Sequence, residues 1–177
     1  MRVVAGRLGG RRIVAPRGRA TRPTSDRVRE ALFSILGDVS GAVVLDLFAG
    51  SGALAIEALS RGAAAATLID TSPAAIAAIR RNLEQLGLEA EVRRQDALAF
   101  LNKARIAAPQ YDLVLLDPPY GHTSNLGREL STVLPPLLAP DAYVVAESDR
   151  RAPLGLQLQL QLRDERRYGD TVIRIYQ

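Results

Sequence analysis

Short apolar runs alternate with helical segments through most of this 177-residue chain, and that alternation admits few folds. Residues 42–48 form a nearly continuous apolar run of the kind a strand covered on both faces requires. The turn Gly50-Ser51-Gly52 follows, and a helical pattern continues to Ser60. Residues 66–70 read as a second strand. Ser72 then offers an N-cap and Pro73 a first helical residue, after which Ile76, Ile79, Leu83 and Leu86 share one helix face until Gly87. Further strands are expected at 90–94, 111–116 and 142–147, with helices near 97–106 and 125–138 between them. Such a sequence argues for an open, mostly parallel α/β sheet with ligands above the carboxyl ends of the strands at the topological switch point. Toward the C-terminus, residues 156–162, where Gln and Leu alternate, and 172–176 read as an antiparallel pair turning at Gly169-Asp170.

Ahead of the alternation, Val3-Val4-Ala5 and Ile13-Val14-Ala15 flank a glycine-containing loop and read as a β-hairpin carrying Arg7, Arg11 and Arg12. A linker rich in Pro, Gly and Arg follows. Ser25 or Asp26 then caps a helix whose Val28, Ala31, Leu32, Ile35 and Leu36 recur at helical spacing until Gly37 stops it. The expected organisation is a basic hairpin and linker over residues 1–24 and a single domain over residues 25–177.

Charge is unevenly spread. Residues 1–30 hold nine arginines against Asp26 and Glu30, a balance of +7, so the remaining 147 residues carry −3 of the chain's net +4. A basic end beside a mildly acidic body suits contact with a phosphate backbone. A solvated basic face is the plainer reading, and the use of 22 arginines against Lys103 alone also fits a bias of genomic base composition.

The chain has no cysteine and one histidine, His122. Disulfides, thiolate nucleophiles, cysteine zinc sites, histidine clusters and an obvious catalytic triad are therefore excluded, and no metal is expected. Chemistry must run on carboxylates, amides, backbone or a cofactor. The longest weakly polar stretch, 62–69, is far short of the ~20 apolar residues of a spanning helix. Arginines at 2, 7, 11 and 12 interrupt any secretory apolar segment, so a cytoplasmic protein is expected.

Asp46-Leu47-Phe48-Ala49-Gly50-Ser51-Gly52 stands where the first central strand turns into its helix, a place where backbone must approach a nucleotide closely. Ala55 replaces the third glycine of the dinucleotide fingerprint, which disfavours pyrophosphate binding. Asp70 ends the next strand, where a carboxylate can accept from two ribose hydroxyls or cap the following helix. Asp96 closes the third strand and can reach an adenine amino group. Asp117-Pro118-Pro119-Tyr120 ends the fourth strand. Its prolines stiffen the turn and leave the Asp117 carboxylate and the Pro118 carbonyl as acceptors beside an aromatic ring, a setting for an exocyclic base amine. A rigid turn with a buried Asp is the plainer reading.

Together these residues resemble the class I S-adenosylmethionine-dependent methyltransferases, and Asp117 to Tyr120 resemble the motif of those that methylate exocyclic amines of nucleic acid bases. Thr21-Arg22-Pro23-Thr24-Ser25-Asp26-Arg27-Val28-Arg29-Glu30-Ala31-Leu32-Phe33, with the basic hairpin before it and the glycine turn after it, is similar to the RsmD family of 16S ribosomal RNA guanine-N2 methyltransferases. The resemblance covers essentially the whole chain. It implies a Rossmann-like fold whose mostly parallel seven-stranded sheet ends in an antiparallel C-terminal hairpin, with an N-terminal β-hairpin extension. S-adenosylmethionine is the implied cofactor. Its methionine part would lie on Asp46, Phe48, Ala49, Gly50, Ser51 and Gly52, its ribose on Asp70 beside Thr71, and its adenine on Asp96 beside Ala97. Asp117, Pro118, Pro119 and Tyr120 would take the target base. Arg7, Arg11, Arg12, Arg22 and Arg27 would meet the substrate, though Arg22 and Arg27 equally suit the cofactor's edge or structure. The implied partner is 16S rRNA in the small ribosomal subunit or its assembly intermediate, met by a monomer. An adenine-N6 methyltransferase acting on DNA or RNA, or a non-catalytic ribosome-assembly factor of the same fold, are the alternatives.

Overall fold

The computed structural model describes residues 1–16, 25–107, 109–119 and 123–177. Expected site residues Arg22 and Tyr120 lie outside them. Elements follow in the order α1 (Asp26–Leu36), β1 (Val43–Asp46), α2 (Ala53–Ser60), β2 (Ala65–Asp70), α3 (Pro73–Leu86), β3 (Glu91–Arg94), α4 (Ala97–Ala107), β4 (Tyr111–Leu116), α5 (Thr123–Val133), β5 (Leu138–Asp149), β6 (Leu162–Tyr168) and β7 (Thr171–Tyr176). The strands form one sheet in the order β3-β2-β1-β4-β5-β7-β6. The first five of these run parallel, and β7 pairs antiparallel with both β5 and β6. Chain order reverses between β1 and β4, so the switch point lies at their carboxyl ends.

Alternation along the central strands explains the two layers around the sheet. Val44 of β1 and Leu113 and Leu115 of β4 join α1, α2 and α3 on one face. Leu45, Val114 and Leu116 join α4 and α5 on the other. A strand's side chains point alternately to either face, and with helices on both, every position must be apolar. Each fully buried Leu or Ile contributes roughly 1.5–3 kcal/mol of transfer free energy. The helix signals act as expected. Ser25 Oγ accepts from the Val28 N–H at 3.3 Å, and Ser72 Oγ from the Ala75 N–H at 3.4 Å. Gly37 and Gly87 end their helices at φ 74° and 63°.

Three expectations change. The helix expected over 125–138 ends at Val133, because Pro135 and Pro136 cannot supply the N–H groups that would continue it, and a 3-10 turn at Pro135–Leu137 follows. The strand expected over 156–162 does not form. Leu156, Leu158 and Leu160 do pack on the second layer, but the segment lies against α5, where the Gln157 N–H donates to Ser131 Oγ at 2.7 Å. The edge strand is instead the charged β6, which turns at Gly169 into β7.

The N-terminal segment also differs from a regular hairpin. Its arms meet in a single antiparallel bridge, Arg2 with Arg12, around a 3-10 turn at Gly6–Leu8. The ladder is short because side chains of the body take the backbone groups a second strand would use. Buried Glu57 accepts the N–H groups of Val4 and Ala5 at 2.7 and 2.9 Å. Ser60 Oγ accepts from Leu8 N–H at 3.0 Å and donates to the Ala5 carbonyl at 2.6 Å. Val3 and Ile13 complete the attachment by entering the core beside α1, α2 and α3.

Candidate active site

The glycine turn is held from both neighbouring strands. Leu47 N–H donates to the Leu115 carbonyl of β4 at 3.2 Å, and Ala49 N–H to the Ile69 carbonyl of β2 at 3.0 Å. Gly52 takes φ +78°, a conformation that favours glycine, and a Cβ there would crowd Leu68 Cδ2 at 3.1 Å. Gly50 takes φ +54°, yet a Cβ on it would meet nothing within 4 Å. Its backbone therefore faces open space that any side chain would begin to fill. Phe48 is half-buried against the second layer, Ala49 is buried, and Ser51 is half-buried with its carbonyl accepting from Asn82 Nδ2 at 2.9 Å.

Asp70 stands at the tip of β2. Its Oδ2 accepts from the Gly50 N–H at 2.9 Å and its Oδ1 from the Ser72 N–H at 2.8 Å, which braces the glycine turn against the next helix. Each oxygen keeps a further lone pair. Thr71 beside it is exposed, and its carbonyl accepts from Arg94 Nε at 3.2 Å. Asp96 caps α4 by accepting from the Ala99 N–H at 3.0 Å, and Ala97 opens that helix, buried.

Three carboxylates gather at the ends of the adjacent strands β1, β4 and β5. Asp46 is buried, and burial pushes its pKa up to about 7 against the hydrogen bonds of the Ala55 and Phe48 N–H groups, with Asp70 adding repulsion. Asp117 follows directly on β4. Burial first, then the nearby charges of Glu147 and Asp46, hold its carboxyl well above the ordinary range. Pro118 is buried and Pro119 exposed. Low dielectric and like charge both favour the protonated forms of Asp46 and Asp117, and a cation arriving beside Asp46 would favour its ionised form. Among the described residues no group of three or more His, Cys, Asp or Glu is arranged to hold a metal, and no helix is long and apolar enough to cross a membrane.

Glu147, Glu57 and Asn82 escaped the sequence reading, although each carried a signal. Glu147 ends an apolar run, as Asp46, Asp70 and Asp117 do. Glu57 is the one charge within α2, and Asn82 falls on the apolar face of α3 between Ile79 and Leu86. Arg7, Arg11, Arg12 and Arg27 are exposed. Among the described residues no carboxylate forms an ion pair with any of these four, whereas Arg2 pairs with Asp26 at 3.0 Å.

A family described as Conserved hypothetical protein 95 matches residues 1–177. The relative named ribosomal RNA small subunit methyltransferase D in Escherichia coli K12 is 37% identical over 182 residues, covering 100% of this chain and 89% of its own. The solved structure of yhhF from Escherichia coli superposes with a TM-score of 0.86 at 35% identity, covering 100% of this chain and 97% of that one. SMU.776 complexed with SAH superposes with a TM-score of 0.69 at 19% identity over 86% of this chain and 49% of that one, a likeness of fold alone.

Proposed function

The chain belongs to the RsmD family, described as Conserved hypothetical protein 95, and from that premise we propose that it transfers a methyl group from S-adenosylmethionine to the exocyclic N2 of a guanine in 16S rRNA of the small subunit. One observation carries the reading: Asp117, with its two prolines, leaves β4 directly across the switch point from the glycine turn that leaves β1. The family relative named ribosomal RNA small subunit methyltransferase D supports both the substrate class and methyl transfer.

The residues fit such a cofactor. Gly50 presents bare backbone to open space, and Asp46 beside it is a buried carboxyl that a cationic group would ionise. Asp46 with residues 48–52 would hold the methionine part, Asp70 and Thr71 the ribose, Asp96 and Ala97 the adenine. When bound, the cofactor supplies a sulfonium methyl already activated for displacement. The protein's work is then chiefly alignment, which can supply several of the ~7–11 kcal/mol available from orientation. Asp117 and the Pro118 carbonyl accept the two amine hydrogens of an unstacked guanine and turn its nitrogen lone pair toward the methyl carbon. In its ionised form Asp117, whose basicity burial raises, is suited to take the proton the amine sheds after transfer. Residues 1–24 form the RNA-facing part and 25–177 the cofactor domain in this reading, with Arg7, Arg11, Arg12, Arg22 and Arg27 toward phosphates. An extruded loop base is least costly to admit.

The test is incubation with labelled S-adenosylmethionine and small subunits lacking base methylation, followed by nucleoside identification. N2-methylguanosine is expected. N6-methyladenosine would transfer the chemistry to the other base, and cofactor binding without product would point to an assembly factor.

A further inference from the structure

Helical periodicity places Asn82 on the apolar face of α3, yet its side chain is completely buried and fully employed. Its Oδ1 accepts from the Val14 N–H at 2.8 Å. Its Nδ2 donates to the Val14 carbonyl at 3.0 Å and to the Ser51 carbonyl at 2.9 Å. One amide thus holds the N-terminal arm in both hydrogen-bonding directions and grips the glycine turn as well. An amide is the functional group that offers this combination of two donors and an acceptor in so small a volume.

Neither end needs Asn82 simply to stay in place. The arm is anchored separately through Glu57, Ser60, Val3 and Ile13. The turn is anchored separately through Asp70 and the Ile69 carbonyl. What Asn82 adds is the connection between them. The arm carries exposed Arg7, Arg11 and Arg12, and the turn carries Gly50 with its open backbone. A ligand that immobilises either partner leaves less motion for the other ligand to suppress, which gives positive coupling without a change of shape.

We propose that Asn82 is a positioning residue through which RNA on the arm and the cofactor at the glycine turn tighten one another's binding; the inference rests on the methyl-transfer reading above. Linkage makes the effect reciprocal.

The experiment is equilibrium dialysis of labelled SAH with and without saturating under-methylated small subunits, and of subunit binding with and without SAH. Wild type is expected to show the same factor both ways, on the order of tenfold. Asn82→Leu keeps the branched outline, with bulkier terminal groups, and loses every hydrogen bond. Asn82→Asp keeps the acceptor for Val14 N–H and loses the donors to both carbonyls. In both, the factor should fall to near one and KM for each substrate should rise, while kcat at saturation is kept. Independent binding of both ligands by wild type overturns the coupling without recourse to any variant, as does a folded Asn82 variant with the wild-type factor. Failure of wild type to bind SAH at all would instead overturn the cofactor reading, and the coupling with it.

Discussion

With Asp46 holding the methionine part of the cofactor, as proposed, cofactor affinity becomes tied to pH. Burial pushes its carboxyl up to about 7, so the empty site carries about 0.9 proton on Asp46 at pH 6 and about 0.1 at pH 8 by the single-site titration curve. S-adenosylmethionine brings a sulfonium and an ammonium into the crevice, and a cation within a few ångströms favours the ionised carboxylate. Binding therefore expels that proton. A complete return from about 7 to the ordinary 3.8 corresponds to about 4 kcal/mol at high pH. The dissociation constant then falls up to about tenfold per pH unit as pH rises toward 7, and levels off above it. Calorimetry in two buffers of different ionisation enthalpy counts the protons directly. Wild type should release close to one at pH 6 and few at pH 8, Asp46→Asn should release almost none at either, and Asp117→Asn should retain the release. Equal release at both pH values, or release undiminished in Asp46→Asn, refutes the assignment. The sign for the empty fold is opposite. A raised native pKa means that the native state holds a proton the unfolded chain gives up between about pH 4 and 7. This contribution to stability is therefore complete below pH 4 and lost as pH rises through 7, and Asp46→Asn should flatten that part of the melting curve against pH.

Asp117→Ala should abolish methyl transfer and leave cofactor affinity nearly unchanged, as single-turnover assays and calorimetry would read together. Gly6→Ala places a Cβ 2.0 Å from the Ser60 carbonyl oxygen at φ +76°, so the arm must leave α2; binding to small subunits should weaken while SAH binding in their absence survives. Replacing Arg7, Arg11 and Arg12 together with Gln should flatten the logarithmic salt dependence of RNA binding by about 2, at roughly 0.7 per phosphate contact, and an unchanged slope would return these arginines to a solvated face. Glu57→Leu strands the Val4 and Ala5 N–H groups and the Arg61 guanidinium, which sits 2.8 Å away, and should cost about 3 kcal/mol in denaturant unfolding.

The sheet was legible because its central strands are apolar at successive positions and each is closed by a residue with one local purpose. Ser25, Ser72, Gly37 and Gly87 cap helices through bonds within a few residues, and short-range chemistry survives the loss of tertiary context. Residues 156–160 were misleading for the converse reason. Alternation of Leu with Gln states which side chains face inward, but it does not state whether the backbone finds a strand or, as with Gln157 on Ser131, a helix side chain. The arm shows the same limit. Its apolar pattern marked Val3-Val4-Ala5 and Ile13-Val14-Ala15 as paired segments, while the partners of its backbone, Glu57, Ser60 and Asn82, lie 52 to 68 residues away.

Asp70 and Asp96 show why a plain and a functional reading of one residue need not compete. Asp96 caps a helix through one oxygen. Asp70 accepts the Gly50 N–H on one oxygen and the Ser72 N–H on the other. These bonds fix the carboxylate planes before any ligand arrives, and a fixed acceptor loses less rotamer freedom on binding than a free one. The lone pairs left over are then aimed by the backbone that also forms the glycine turn. Removing Asp70 would therefore remove an acceptor and release Gly50 together, whereas Asp70→Asn keeps the shape but offers only one carbonyl oxygen for the two N–H groups. Comparable losses of cofactor affinity in Asp70→Ala and Asp70→Asn would show that bracing the turn is its larger role. A much milder loss in Asp70→Asn would assign the larger share to the oxygen that accepts from the ligand.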